Sequence, residues 1–67
     1  MTQFEKMQSL FDEIGLEYYA DWSMESVYGI KKPRLINWLF LQTEDGEVDF
    51  KFDEFGNYEG TGIQFYE

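Results

Sequence analysis

The stretch "RLINWLFLQT", residues 34 to 43, most constrains what this chain can fold into. Large apolar residues stand at both sets of alternate positions. One set is Leu35, Leu39 and Leu41, and the other is Ile36, Trp38 and Phe40. Successive side chains of a strand point to opposite faces of the sheet. A strand that is apolar on both faces is typical of the middle of a sheet, so each face needs a cover.

A helix is predicted before this strand, in "TQFEKMQSLFDEIG", residues 2 to 15. Its apolar residues recur at spacings of three and four and form one stripe: Phe4, Met7, Leu10, Phe11 and Ile14. Thr2 is the predicted N-cap, and Glu5 stands three residues later, where it completes a capping box. Gly15 follows the last apolar position, where a left-handed glycine is expected to end the helix.

Three more segments are predicted to be strands, because apolar residues recur in them at every second position. In residues 16 to 22, one face holds Leu16, Tyr18, Ala20 and Trp22, and the other holds Glu17, Tyr19 and Asp21. In residues 48 to 53, Val48, Phe50 and Phe52 share one face. The last strand is "YEGTGIQFYE", residues 58 to 67. Residues 23 to 33 are interpreted as a loop that holds at most a short helical turn.

Glycines mark the predicted turns. Asp45-Gly46 lies in a hairpin turn and is expected to supply residues that tolerate positive φ. Gly56 is the expected left-handed residue of the next turn. Gly60 and Gly62 separate Tyr58 from the apolar residues of the opposite phase in the last strand, which predicts a β-bulge there.

These elements predict one α+β domain over residues 1 to 67. We expect an N-terminal amphipathic helix packed on a three- to four-stranded antiparallel sheet, in two layers. One helix covers one sheet face, so the other is left with an apolar set that we expect to bind a second copy or a partner: Tyr19, Ile36, Trp38 and Phe40. The alternative is that the loop of residues 23 to 33, or the twisted sheet itself, folds over that face. The chain has no cysteine, so no disulfide can reinforce this small fold. Formation of a homodimer would reinforce it instead.

The residue types argue against catalysis and against a bound cofactor. Without histidine or cysteine, the commonest general base and the thiolate ligands are missing. The adjacent acids Glu44-Asp45 and Asp53-Glu54 lie in predicted turns, where acids serve turn geometry. No phosphate-binding glycine motif is present, and neither glycine turn matches a calcium-binding loop. We therefore expect a protein that is not an enzyme and has no cofactor or metal.

The charge is strongly negative and unevenly distributed. The net charge is -9, and three of the five bases lie in "KKPR", residues 31 to 34, between two acidic segments. This balance disfavours direct binding to nucleic acid, because phosphates are repelled. No apolar run is long enough to cross a bilayer, and the start lacks the features of a signal peptide, so we expect no membrane partner and a cytoplasmic location. The acids are interpreted either as a solubility coat or as a surface for a basic partner.

In style the chain resembles the small, acidic, aromatic-rich proteins encoded by bacteriophages and prophages of Gram-positive bacteria. The resemblance lies in "MTQFEKMQSLFDEIGLEYY", in "LQTEDGEVDFKFDEFGNYEG" and in the short length without cysteine or histidine. That group includes many proteins of unknown role and small inhibitors of host defence, some of which mimic DNA with carboxylates in place of phosphates. The resemblance implies a location in the host cytoplasm and carries over no functional residue.

The expected function is a protein-interaction module, such as a phage accessory protein or host-defence inhibitor, that engages a basic host protein through acids. A basic nucleic-acid-binding protein is one such partner. The expected contacts lie along two turns and a strand: Glu44, Asp45, Glu47, Asp49, Asp53, Glu54 and Glu59. The alternative is a homo-oligomeric structural protein whose charge serves only solubility.

Overall fold

The computed structural model of this protein describes residues 1–26 and 32–66. Within them, one helix precedes four strands: α1, Gln3–Ile14; β1, Tyr18–Glu25; β2, Arg34–Gln42; β3, Gly46–Phe52; and β4, Tyr58–Phe65. The strands form one antiparallel sheet in the order β1-β2-β3-β4. The predicted α+β class is confirmed, with four strands.

α1 begins and ends at the residues that its capping pattern predicts. The Thr2 hydroxyl accepts a hydrogen bond from the Glu5 backbone N–H at 3.1 Å, and the Glu5 carboxylate accepts one from the Thr2 N–H at 3.0 Å. This reciprocal pair satisfies two backbone donors and lowers the pKa of Glu5. At the other end, Gly15 has φ 87°, and its N–H donates to the Phe11 carbonyl. The capping box and the left-handed glycine are both confirmed.

The start of α1 is held against the turn between β3 and β4. The Phe4 N–H donates to the Gly56 carbonyl at 3.0 Å, and the Tyr58 N–H donates to the Gln3 side-chain oxygen at 2.7 Å. Gly56 has φ 86°, which confirms the left-handed residue expected in this turn. These bonds tie the helix to the far end of the sheet through backbone groups that would otherwise lack partners.

The register of the sheet decides which face meets the helix, which the sequence leaves open. Leu39 of β2 lies opposite Ala20 of β1 and Phe50 of β3, and directly opposed residues share a face. Leu39 also packs with Phe11 of α1. The face that carries Leu39 is therefore covered by the helix and is called the helix face below.

The core on the helix face is small. Phe11, Leu39 and Phe52 are buried in it, and the residues packed around them are Phe4, Met7, Tyr18, Leu41 and Phe50. Two residues of the predicted helix stripe, Leu10 and Ile14, are exposed instead. A helix is about 10 Å wide, whereas four strands at about 4.8 Å spacing form a wider sheet. The helix therefore covers the central strands and leaves both flanks of this face uncovered.

Two local predictions were wrong. Residues 23 to 25, expected in a loop, continue β1 as far as Glu25, because they pair with residues 34 to 36 of β2. Gly46 does not adopt positive φ; among the described residues only Gly15 and Gly56 do. Gly46 begins β3 and is buried, and a Cβ there would overlap the main-chain oxygen of Gln64. A glycine is needed at position 46 because it allows β4 to approach closely, and not because the turn requires positive φ.

β4 contains the β-bulge that its glycines predict. The bulge lies one residue before Gly60, nearer the start of the strand. Tyr58 lies opposite Phe52, and Gly60 lies opposite Lys51, so two steps along β4 match one step along β3. The extra residue is Glu59. This shift brings Tyr58 onto the helix face with Ile63, although their numbering suggests opposite faces.

Candidate binding face

The sheet face turned away from the helix carries the candidate site, and it is called the open face below. Its members follow from the pairing register: Tyr19, Asp21, Ser23, Glu25, Arg34, Ile36, Trp38, Phe40, Gln42, Glu47, Asp49, Lys51, Gly60, Gly62 and Gln64. The set combines three aromatic residues, four acids and two bases with small and uncharged residues. The face is therefore neither a plain apolar surface nor a plain acidic one.

Three rings form a stacked row across the open face. The Tyr19 and Phe40 rings lie 4.8 Å apart between centroids at 21°, and the Phe40 and Trp38 rings lie 5.9 Å apart at 18°. Tyr19 is 46% exposed, and the other two are half-buried. The Trp38 indole N–H donates to the Ser23 hydroxyl at 2.8 Å, which fixes the end of the row. The row is a rigid aromatic surface that is open to contact.

Ile36 is not part of that exposed surface. It lies on the open face by register, but none of its surface is accessible, and it stands outside the core beneath the helix. It is therefore buried in the single chain, and the contact role expected for it from the sequence stays a prediction. The alternative prediction was that the loop of residues 23 to 33 covers this face. Part of that loop, residues 27–31, lies outside the described residues.

Two carboxylates adjoin the row beside Tyr19 and Phe40. Glu47 accepts hydrogen bonds from the Tyr19 hydroxyl at 3.2 Å and from the Gln42 amide at 2.6 Å. Asp49 lies directly opposite Phe40 in the neighbouring strand. Partial burial raises the pKa of Tyr19, and its bond to Glu47 raises it further. The row and the two acids thus form one unit, joined by the Tyr19–Glu47 hydrogen bond and by the place of Asp49 opposite Phe40.

Asp49 is the least satisfied group of this unit. One of its carboxylate oxygens, Oδ1, is buried and has no hydrogen-bond partner among the described residues. Burial raises the pKa of Asp49, and the nearby charge of Glu47 and a side-chain hydrogen bond shared with Glu47 raise it further. A buried acceptor that lacks a donor costs free energy, and a second negative charge adds to that cost. A cation from outside the chain would offset both.

The other end of the open face is neutralised from within. Glu25 pairs with Arg34 at 3.4 Å and with Lys51 at 3.1 Å, and Arg34 also pairs with Glu59 at 3.0 Å. Lys51 lies 6.0 Å from the centre of the Trp38 ring. These bonds lower the pKa of Glu25, the one to Lys51 most strongly. The two ends of the open face therefore differ in charge. The end with Glu25, Arg34 and Lys51 has paired charges, whereas the end with Glu47 and Asp49 has excess negative charge.

A groove of 340 Å³ runs beside the row, lined by Trp38, Asp49, Lys51, Gly60, Thr61 and Gly62. Its floor is backbone, because Gly60 and Gly62 present no side chain to the open face. A Cβ added at either position would meet nothing within 4 Å. The two glycines therefore leave room for a side chain from another molecule to lie between β4 and the Trp38 ring.

The structure separates the seven acids that the sequence groups together. Glu44 and Asp45 precede β3 and Asp53 and Glu54 follow it, so the two turns lie about 20 Å apart at opposite ends of a seven-residue strand. Of the seven, Glu47 and Asp49 lie beside the aromatic row.

Two of the remaining acids are occupied within the chain. Asp53 accepts hydrogen bonds from the backbone N–H groups of Phe55 and Asn57, which hold its pKa below the usual range, with the Asn57 backbone as the largest cause. Glu59 pairs with Arg34. Asp53 therefore holds the turn, and Glu59 takes part in the ion pairs; their predicted contact with a partner stays a prediction.

Sequence reasoning missed part of this site. Asp21 lies directly opposite Trp38 and belongs to the open face. The alternating pattern of the first strand puts Asp21 on the same face as Tyr19, and this signal could have added Asp21 to the predicted site. Gly60 and Gly62 were interpreted through the bulge and not through the space they leave. Lys51 became relevant only when the register placed it opposite Trp38.

Other kinds of site have little support in residues 1–26 and 32–66. No group of three acidic side chains there is arranged to hold a metal ion. No helix in this part of the chain has the length and hydropathy needed to span a bilayer. No protein-family model, curated protein or solved structure matches the chain. The proposal of function therefore rests on the open face alone.

Proposed function

We propose that this protein is a non-enzymatic interaction module that binds a basic segment of a partner protein on its open face. The aromatic row supplies the apolar contact, and Asp21, Glu47 and Asp49 supply the negative charge. The observation that carries the proposal is the Asp49 carboxylate, which has an unpartnered buried oxygen beside Phe40. A lysine or arginine of the partner would provide the missing positive charge.

The chemistry of the face suits arginine or lysine. Aromatic rings attract cations, and carboxylates form charge-assisted hydrogen bonds with them. The long aliphatic part of either side chain can also lie along apolar surface. The groove over Gly60 and Gly62 offers a place for such a side chain, close to both Asp49 and Trp38. Row, carboxylates and groove thus favour the same class of partner.

The negative charge of the rest of the chain supports encounter with such a partner. A net charge of -9 attracts basic proteins over a distance and raises their rate of association. The acids in the two turns would act in this general way, whereas Glu47 and Asp49 would make contacts. In the setting that the sequence resemblance implies, the partner is a basic host protein, for example one that binds nucleic acid.

Affinity capture from a bacterial lysate tests the proposal, at low and moderate salt with mass spectrometry of the retained proteins. The wild-type chain is compared with a Phe40→Leu/Asp49→Asn variant and with a Glu44→Gln/Asp45→Asn variant that alters only a turn. We expect one basic protein that is released by salt, is lost from the first variant and is kept by the second. Equal capture by all three chains would contradict a role for the open face.

A further inference from the structure

The two outer strands of the sheet differ in how their free edges are protected. β1 and β4 are the edge strands, and each leaves one row of backbone N–H and C=O groups without a strand partner. β1 carries Asp21 and Glu25. Glu25 is neutralised by Arg34 and Lys51, but Asp21 has no ion-pair partner among the described residues, and a charged edge resists pairing with another chain. β4 carries one charged residue, Glu59, whose carboxylate is neutralised by Arg34 at 3.0 Å. β4 is therefore the edge with little electrostatic protection.

The apolar exposure of β4 is high. Ile63 is 61% exposed and Phe65 is 75% exposed, both on the uncovered flank of the helix face. Soluble proteins rarely leave a contiguous group of this kind in water. On the opposite side of β4, Gly60 and Gly62 leave the backbone bare, so no side chain blocks the approach of another strand.

A groove on the helix face adjoins the start of β4. It has a volume of 380 Å³ and is lined by Gln3, Lys6, Met7, Leu10, Phe52 and Tyr58. Met7 and Leu10 belong to the helix stripe, but the sheet of one chain does not cover them fully. The groove is apolar and lies beside the strand edge, so a molecule that paired with β4 could also fill it.

We propose that two copies of this chain associate through β4, edge to edge and antiparallel, to form a continuous eight-stranded sheet. A two-fold axis near the middle of β4 brings the end of each strand opposite the start of the other. Phe65 of one copy then lies beside Tyr58 of the second copy and covers the groove at Met7 and Leu10. The same contacts occur twice, as a symmetric interface requires.

The distribution of charge favours association of two copies through the β4 edge over association through the β1 edge. Each chain carries a net charge of -9, so association is opposed wherever acids of two copies meet. At β4 the single acid, Glu59, is paired with Arg34, whereas an antiparallel pairing of β1 would bring Asp21, near the middle of that strand, close to Asp21 of the second copy. Only four hydrophobic residues of the described chain are buried, so burial of Ile63 and Phe65 adds substantially to the apolar contact of so small a fold. The open face stays free in this dimer.

The test combines molecular mass with two matched variants, Phe65→Glu and Trp22→Glu. Both replace an exposed aromatic residue of the helix face with an acid, but Trp22 lies on β1, where it is 63% exposed. Light scattering coupled to gel filtration should give twice the chain mass of 8.1 kDa for the wild type and for Trp22→Glu. Phe65→Glu should give the monomer mass with an unchanged circular dichroism spectrum. A monomeric wild type, or a dimer lost only in Trp22→Glu, overturns the proposal.

Spin labels locate the interface without depending on those variants. The chain has no cysteine, so Gln64→Cys and Ala20→Cys each give a single labelling site. In an edge-to-edge dimer through β4, the two labels at position 64 should lie within about 20 Å, and those at position 20 about 35 Å apart, given a strand spacing of about 4.8 Å. The reverse order of distances would overturn the proposal, and so would a short distance at both positions.

Discussion

The ring of Tyr19 is stacked on the ring of Phe40, with 4.8 Å between the centroids, on the sheet face that the helix does not cover. The Tyr19 hydroxyl also donates to the Glu47 carboxylate. One residue thus joins the aromatic row to the acidic group beside it. This link makes the open face a single surface, on which the predictions for Phe40 and Asp49 depend.

We predict that Phe40→Leu weakens binding of the basic partner by about 1 kcal/mol, which is roughly a fivefold rise in Kd. Leucine keeps the apolar volume but removes the central ring of the row, so the cation loses its aromatic contact. Isothermal titration calorimetry with the captured partner measures the change. Phe55→Leu is the control, because Phe55 is 72% exposed in the turn between β3 and β4 and lies away from the row. Equal weakening by both variants would contradict the prediction.

We predict that Asp49→Asn stabilises the free protein at neutral pH. The folded-state pKa of Asp49 is raised, so its contribution to stability is fully present below the ordinary pKa of aspartate and is lost as the pH rises through the raised value. Asparagine stays neutral at every pH and avoids that loss. Urea unfolding should therefore show a higher midpoint for the variant at neutral pH, and the gain should shrink near pH 3, about one unit below the usual aspartate pKa.

The same substitution should weaken partner binding, because the cation loses its closest carboxylate. Asp45→Asn is the matched control, since it removes one negative charge from an exposed turn and not from the open face. It isolates the effect of net charge on both measurements. A loss of stability in Asp49→Asn at neutral pH would show that the carboxylate is satisfied in the folded chain, and the interpretation of the site would be wrong.

We predict that Gly56→Ala is more destabilising than Gly15→Ala. The two glycines have nearly the same φ, 86° and 87°, so alanine at either position is strained by about 1 kcal/mol. A Cβ at Gly15 meets nothing within 4 Å, whereas one at Gly56 lies 2.7 Å from the Thr2 Cβ. Displacement of Thr2 also disturbs the N-cap of α1, worth about 1 kcal/mol. Chemical unfolding of both variants measures the difference, and equal losses would show that the turn does not hold the helix start.

The sequence predicted the elements because their local signals agree. The capping box at Thr2 and Glu5, the glycine at 15 and the apolar run in residues 34 to 42 each depend on near neighbours, and the structure has the predicted helix and strand there. The bulge in β4 was also predictable, because Tyr58 and Ile63 stood in opposite phases. Such features need no knowledge of distant contacts.

The candidate site depends on long-range register, which the sequence does not show. Only the pairing of β2 with β1 and β3 places Tyr19, Phe40 and Asp49 side by side. The role of Gly46 likewise follows from the neighbouring strand, where the main chain of Gln64 approaches it. The acids were grouped by proximity in the sequence, and a strand of about 20 Å separates the two turns they occupy.

The two tryptophans allow the most direct test of binding at the open face. Trp38 lies on the open face and Trp22 on the helix face, and each gives its own indole N–H signal in a ¹⁵N–¹H spectrum. The labelled chain is titrated with an arginine-rich peptide at low salt. We predict that the Trp38 indole signal shifts progressively to saturation, together with the backbone signals of Phe40 and Asp49, while the Trp22 signal stays in place. A shift of Trp22 alone, or no shift of Trp38 at saturating peptide, would contradict binding of basic segments at the open face.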